Sequence, residues 1–288
     1  MRSMQEIKSR IQTVKSTKQI TKAMKMVSAS KLKKSQELLI KVRPYAFGII
    51  KAFNRLKDNS RDIDHPLFVK REIKKTKILV ISSDRGLCGS YNSGVIKAAE
   101  SYYQQAGLNE DNSVFDFIGR KGYDYFRRRY KNIGDNYRIE SYPSYDTASY
   151  VVERLIESYI EGDFDSLIII YNEFKSVISS RVRVERLFPI ITPDYINEKE
   201  KKFCIYEPNK AEVINDLVPK YVKIEIFRIL LETVASEHSI RMTAMDSATR
   251  NSEDMIKSLS LTYNRARQDN ITKELMEIVS GKEALDNG

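Results

Sequence analysis

The sequence predicts an α/β protein: N- and C-terminal helices that pair as a long antiparallel coiled coil, and between them a central Rossmann-like α/β domain. Both ends carry apolar residues at the three-four spacing of a helix face. The middle instead alternates short apolar runs with helix-like stretches, the order expected of βαβ units on a mainly parallel sheet. Two distant helices of matching pattern bury their stripes most simply against each other, so the ends are expected to form a shaft.

The N-terminal helix, residues 1–57, shows Met4, Ile7, Ile11 and Val14 on one stripe, and the same phase returns at Leu32, Leu39, Val42, Ile49, Phe53 and Leu56. Between these runs Lys18, Thr21, Lys25 and Ser28 hold the stripe positions, while Ile20, Met24 and Val27 carry the apolar residues one place over. A slip of phase is therefore expected there, with a local change of winding. Ser3 and Glu6 have the spacing of a capping box, which starts the helix near Met1. Pro44 removes one backbone hydrogen bond, so a kink or short break is expected near Arg43.

A linker, residues 58–73, leads into the central domain, residues 74–202. Its strands are read at Lys77–Ser83, Val114–Gly119 and Leu167–Asn172, and its helices at Ser93–Gln105, Lys121–Arg129 and Thr147–Glu161. Ser179–Leu187 alternates polar and apolar residues like an edge strand. A short segment, 203–210, precedes the C-terminal helix, residues 211–288. There Ile224, Phe227, Leu231, Val234, His238, Met245, Ala248, Met255, Leu259 and Ala266 run in near-heptad register, and Ile271, Leu275 and Ile278 follow one place out of phase. Gly281 is a natural stop. At 1.5 Å per residue the two arms span about 80 and about 105 Å, so about 16 residues of the second are expected to project past the first with an apolar face uncovered.

Composition narrows the function. No apolar run approaches the length needed to cross a bilayer, and there is no signal-peptide core near Met1, so a cytosolic address is expected. The two cysteines, Cys88 and Cys204, are too far apart in sequence for a metal-ligand spacing or a disulfide framework and read as inert thiols. The net charge of +10 is concentrated: residues 1–57 hold fifteen Lys or Arg against Glu6 and Glu37, and the other 231 residues sum to −3. Such a helix suits nucleic acid, an anionic membrane or an acidic protein surface, or is a solvated coiled-coil face. Its cluster from Lys15 to Lys34 has no aromatic residue to stack on bases, which counts against nucleic acid.

No catalytic constellation emerges. The turn Asp84–Gly89 lacks the Lys-Ser/Thr ending of a P-loop and the glycine spacing of a dinucleotide fingerprint. Cys88 has for partners only His65, in the linker, and His238, on the helix stripe. Asp163 and Asp165 flank a strand as turn residues do. Two other readings remain open on the residues: a coiled-coil nucleic-acid binder using the basic arm, and a small-molecule enzyme built on the middle domain.

Several motifs carry a resemblance. The run Ile20 to Leu32 (ITKAMKMVSASKL), then Arg43-Pro44-Tyr45, Ser83 to Gly89 (SDRGLCG), Ser236-Glu237, Arg241 to Met245 (RMTAM), Tyr263 to Gln268 (YNRARQ), Ile271 to Glu274 (ITKE) and Glu277 to Gly281 (EIVSG) resemble, in order and along the whole chain, the γ subunit of F-type ATP synthases. The resemblance implies a central rotor shaft that couples ion flow through the c-ring to conformational cycling of the catalytic β subunits, for ATP synthesis or hydrolysis. It implies no cofactor, no metal and no bond chemistry on this chain. The partners it implies are the hexameric ring of α and β subunits, the ε subunit and the c-ring, with no nucleic acid and no membrane insertion. The expected location is the cytoplasmic face of the cell membrane, as a peripheral protein.

Site residues follow from the same resemblance. Met24, Lys25, Arg241, Arg267 and Gln268 are expected at loops of the β subunits, and Ile271, Leu275 and Ile278 at a bearing around the tip. The foot motif stands here as Phe203 to Pro208 (FCIYEP), with Tyr206 and Glu207 at the c-ring contacts and Cys204 where the family usually has an aromatic. Ser28 stands where alanine is frequent. The inserted cysteine pair of the chloroplast redox switch is absent, so thiol regulation of that kind is not expected.

Overall fold

Strand β1 (Thr76–Ile81) is buried along its whole length and organises the middle of the chain. It pairs in parallel with β2 (Ser113–Ile118) on one side and with β4 (Ser166–Ser176) on the other. Beyond β2 lies the parallel strand β3 (Ile133–Tyr137), and beyond β4 the antiparallel β5 (Ser179–Phe188), giving the order β3-β2-β1-β4-β5. The computed structural model describes residues 4–58, 65–69, 71–138, 142–177, 179–190 and 206–286. The chain divides into two compact units: Ser28–Arg241, which holds the sheet, and Met1–Val27 with Met242–Gly288. The cap at Ser3 and the foot residues Phe203, Cys204 and Ile205 lie outside the described residues.

In the sheet unit the period of two along each strand sorts side chains onto two faces. Ile78, Val80, Phe115, Phe117, Ile168 and Ile170 meet Val95 and Ala99 of α2 (Tyr91–Gln105) and Phe126 of α3 (Arg120–Phe126). Leu79, Ile81, Leu167, Ile169 and Tyr171 face Val151, Val152 and Leu155 of α4 (Tyr145–Glu161) and the first part of α5 (Lys210–Asp286). This part of α5 is buried nearly all round, because the sheet takes one side and α1 (Met4–Asp58) the other. Phe53 of α1 stacks on Tyr221 of α5 at 3.8 Å between centroids.

Several expectations need correction. Strand β3 is absent from the sequence reading, because Ile133-Gly134-Asp135-Asn136-Tyr137 has the composition of a turn. It forms because Asp116 on β2, fully buried, accepts the Asp135 amide at 3.0 Å and takes an ion pair from Lys77 at 3.1 Å. Gly134 is needed there, since a Cβ would lie 2.2 Å from Asp116 Oδ1. Helix α3 ends at Phe126 rather than Arg129, and α5 continues through Gly281 to Asp286. Pro44 sits inside an unbroken α1. Asp165 is a turn residue as read: its carboxylate accepts the Lys74 and Lys75 amides at 2.9 and 3.0 Å.

Candidate functional site on the helical arms

In the unit formed by the two helix ends, α1 and α5 run antiparallel, since contacts pair rising numbers on one with falling numbers on the other. Lys18 meets Glu253 at 2.9 Å, Thr21 meets Thr249 at 2.8 Å, and Lys25 meets Asp246 at 2.5 Å. The expected slip of phase does not occur. Thr21 is buried at the stripe position, and Ile20 and Val27 are 60% and 57% exposed. Short hydroxyl side chains let the helices approach while satisfying one another, and Thr249 also donates to the Met245 carbonyl at 2.7 Å. At Thr21 the seam is thus polar, and the neighbouring Ile20 and Val27 point outward. On α5 the seam runs through Met245 and Ser252, whereas Met255, expected on the stripe, is 45% exposed.

The expected contact residues fall into different environments. Met24 and Lys25 are half-buried, with Lys25 held by Asp246, whose carboxyl is lowered by that hydrogen bond. Arg267 and Gln268 are exposed. So are Ile271, Leu275 and Ile278, together with Met276 and Val279, each at roughly half or more of its full surface. No stretch of the described residues covers this last part of α5.

In the sheet unit Arg241 is buried and engaged by its own chain. Its guanidinium pairs with Glu237 at 2.5 Å, donates to His238 Nδ1 at 3.3 Å, and reaches the carbonyls of Arg85 and Gly86, both at 3.3 Å. Burial, with Arg241 and Lys31 near, lowers His238 to about 4, so the ring is neutral. Tyr206 packs against the core as a half-buried residue, and Glu207 is exposed.

The turn after β1 lies between two parallel neighbours reached in opposite directions, where a doubly wound sheet places a ligand crevice. Here the chain's own side chains brace the turn. Asn92 accepts the Ser83 amide at 3.0 Å and donates to the buried Cys88 sulfur at 3.2 Å, and Asn172 donates to the Tyr91 carbonyl at 3.2 Å. The carbonyls of Arg85 and Gly86 point to Arg241, so the turn offers acceptors there rather than an amide cradle. His65 caps the short 3-10 turn Pro66–Phe68, accepting the Leu67 amide at 3.2 Å.

Sequence reasoning missed the half-buried Glu237 and the buried His238 and Arg241 as a set tied to the turn through Arg241. The signal available was a histidine and an arginine one helical turn apart on the α5 stripe. Among the described residues no cluster of His, Cys, Asp and Glu has the arrangement of a metal site, and no helix is long and apolar enough to cross a membrane.

Comparison with known proteins places the whole chain. A sequence model of the ATP synthase family matches residues 3–285. The ATP synthase gamma chain of Geotalea daltonii is 45% identical over 285 residues, covering 99% of both chains. That of Pelotomaculum thermopropionicum is 43% identical over 289 residues, covering 99% of this chain and all of the other. Among solved structures, a chain of the Tetrahymena thermophila mitochondrial ATP synthase central stalk and c-ring superposes with a TM-score of 0.63 at 25% identity, over 80% of this chain and 99% of that one. A chain of the Euglena gracilis mitochondrial ATP synthase shares the fold, with a TM-score of 0.71 at 18% identity over 98% and 94%. Matched from end to end in sequence, the chain belongs to the ATP synthase gamma-chain family.

Proposed function

We propose that this chain is the rotating shaft of the ATP synthase central stalk, which carries torque from the c-ring to the catalytic β subunits and makes no bond itself. The carrying observation is the end of α5: beyond its seam with α1 it continues as a helix with Ile271, Leu275, Ile278 and Val279 exposed. A helix end of that kind needs an outside partner, and a ring of α and β subunits supplies an apolar bearing. A shaft shifts the β subunits only through contacts that differ among their conformations, and an off-centre helix pair presents different faces to each of three neighbours.

Lys25, Arg267 and Gln268, with Met24 next to Lys25 in sequence, are assigned to β-subunit loops; the exposure of Arg267 and Gln268 supports this. Arg241 acts differently: held by Glu237 and two carbonyls, it fastens α5 to the turn after β1 and so carries torque within the chain. At the foot the exposed Glu207 is the group available to the c-ring, with Tyr206 packed behind it. A turn whose carbonyls are taken by Arg241, rather than an amide cradle, supports a role without catalysis. The working location is the cytoplasmic face of the membrane, as a peripheral subunit beside ε.

The test is reconstitution with purified α and β subunits, followed by size exclusion and ATP hydrolysis, against a chain truncated after Tyr263. A stable complex whose mechanical coupling weakens on truncation supports the shaft. A chain that ignores α and β and binds DNA in a salt-dependent way overturns it.

A further inference from the structure

The most cationic surface outside the N-terminal helix lies on α3 and the turn and strand that follow. Residues 120–138 hold seven Lys or Arg against Asp124 and Asp135, a balance of +5 within a stretch, residues 58–288, that sums to −3. Nothing in the shaft mechanism uses it. Arg120, Lys121, Arg127, Arg128, Arg129, Lys131 and Arg138 are all exposed.

The arginines are held in place. Arg127 lies over the Tyr123 ring at 5.3 Å and pairs with Asp124 at 3.0 Å. Arg129 stacks on Tyr125 at 3.8 Å and donates to the Tyr125 carbonyl at 3.1 Å. Tyr125 is itself anchored by a hydrogen bond to Glu100 at 3.0 Å. Between them Arg128 makes no hydrogen bond or ion pair among the described residues. A guanidinium whose plane is fixed by a ring loses little freedom when it forks onto a carboxylate.

Three kinds of anion could answer this charge, and the surroundings select among them. Single-stranded nucleic acid needs open aromatic faces. Here Arg127 and Arg129 cover Tyr123 and Tyr125, and Tyr130 packs against Phe126 and Phe115. A lipid surface calls for an apolar anchor beside the charge and for few acids. No large hydrophobic residue between 120 and 138 is conspicuously exposed, and Asp124, Asp135 and Glu110 are interspersed. Discrete, oriented forks separated by acids fit discrete carboxylates at matching positions.

We propose that the cationic surface around Arg127, Arg128 and Arg129 docks an acidic segment of a neighbouring protein subunit in the assembled complex. This rests on the chain's working within that complex. The experiment places a photoreactive phenylalanine analogue at position 128, in the purified complex, and maps the cross-linked peptide. Arg128 is exposed and makes no hydrogen bond or ion pair among the described residues, so the substitution is expected to leave folding intact.

The expected product is a peptide of another subunit with two or more Asp or Glu near the cross-link. Its yield should fall several-fold from low to high salt, and about three-fold when Arg127→Gln and Arg129→Gln are combined. Cross-links to lipid or nucleic acid only, to a segment without acidic residues, or none at all, overturn the inference. Failure of the chain to co-purify with the complex is a different result and counts against the shaft.

Discussion

Thr21 and Thr249 share a hydrogen bond of 2.8 Å across the antiparallel helix pair, at a position where a coiled coil normally packs two apolar side chains. Threonine to valine keeps the volume and removes the hydroxyl. Thr21→Val and Thr249→Val should therefore each cost about 1 kcal/mol, with a coupling of about the same size in the double-mutant cycle. Hydrogen exchange of the α1 amides around position 21 reads this locally. Additive single effects would show that the bond contributes nothing.

That seam also shows what the sequence made legible. The arms and most of the sheet could be read, because a buried apolar stripe and a buried apolar strand each impose a period on the residues. The reading failed where polar groups carry the packing. Thr21 holds the seam through its small size and its hydroxyl, so hydrophobicity pointed to Ile20 and Val27, which face outward. Strand β3 was hidden for the same reason: its place depends on one buried carboxylate, Asp116, two elements away in sequence. The resemblance assigned Arg241 to a partner's loop, and its bonds to the Arg85 and Gly86 carbonyls could not be read in advance, because an arginine on a helix shows no sign of the carbonyls that will meet it.

Gly134→Ala should be among the most damaging single changes in the sheet. The added Cβ meets Asp116 Oδ1 at 2.2 Å, and moving that carboxylate breaks its pair with Lys77 and its bond to the Asp135 amide. Breaking a buried pair typically costs about 3 kcal/mol or more. The expected result is loss of exchange protection in β2 and β3. Asp116→Asn, which strands Lys77, should weaken the same amides, while Gly48→Ala, on the exposed side of α1 with open space around it, should leave them protected.

Acid should loosen the anchorage of α5. His238 Nδ1 accepts from Arg241, which has no acceptor of its own, so a proton on that nitrogen removes the bond and sets two cations together. The folded histidine titrates near 4, below its usual value of 6.5. The unfolded chain thus binds more protons between those values, and the stability held above about pH 6.5 is lost as the pH falls towards 4. The loss is at most about 3 kcal/mol. Burial raises the neighbouring Glu237 carboxyl, which takes up its proton earlier in the folded chain and offsets part of this, while Lys31 adds positive charge and Asp84 negative charge nearby. Urea unfolding of the sheet unit from pH 7 to 4.5, followed by tyrosine fluorescence, should steepen with acid, and His238→Gln should flatten the slope. An unchanged slope in that variant would assign the acid sensitivity elsewhere.

The tip of α5 should separate stability from assembly. Ile271, Leu275 and Ile278 are exposed, so replacing all three with serine removes no buried contact within the chain and should change its own stability by less than about 0.5 kcal/mol per site. In the assembled complex the same residues are expected inside the bearing, where each loses the burial of an aliphatic side chain, worth about 2 kcal/mol. The triple variant should therefore melt like the parent when alone and bind α and β subunits less tightly, with poorer coupling of hydrolysis to rotation. A variant that destabilises the free chain would show that the tip already has a partner within it. One that leaves both properties unchanged would move the bearing off these residues.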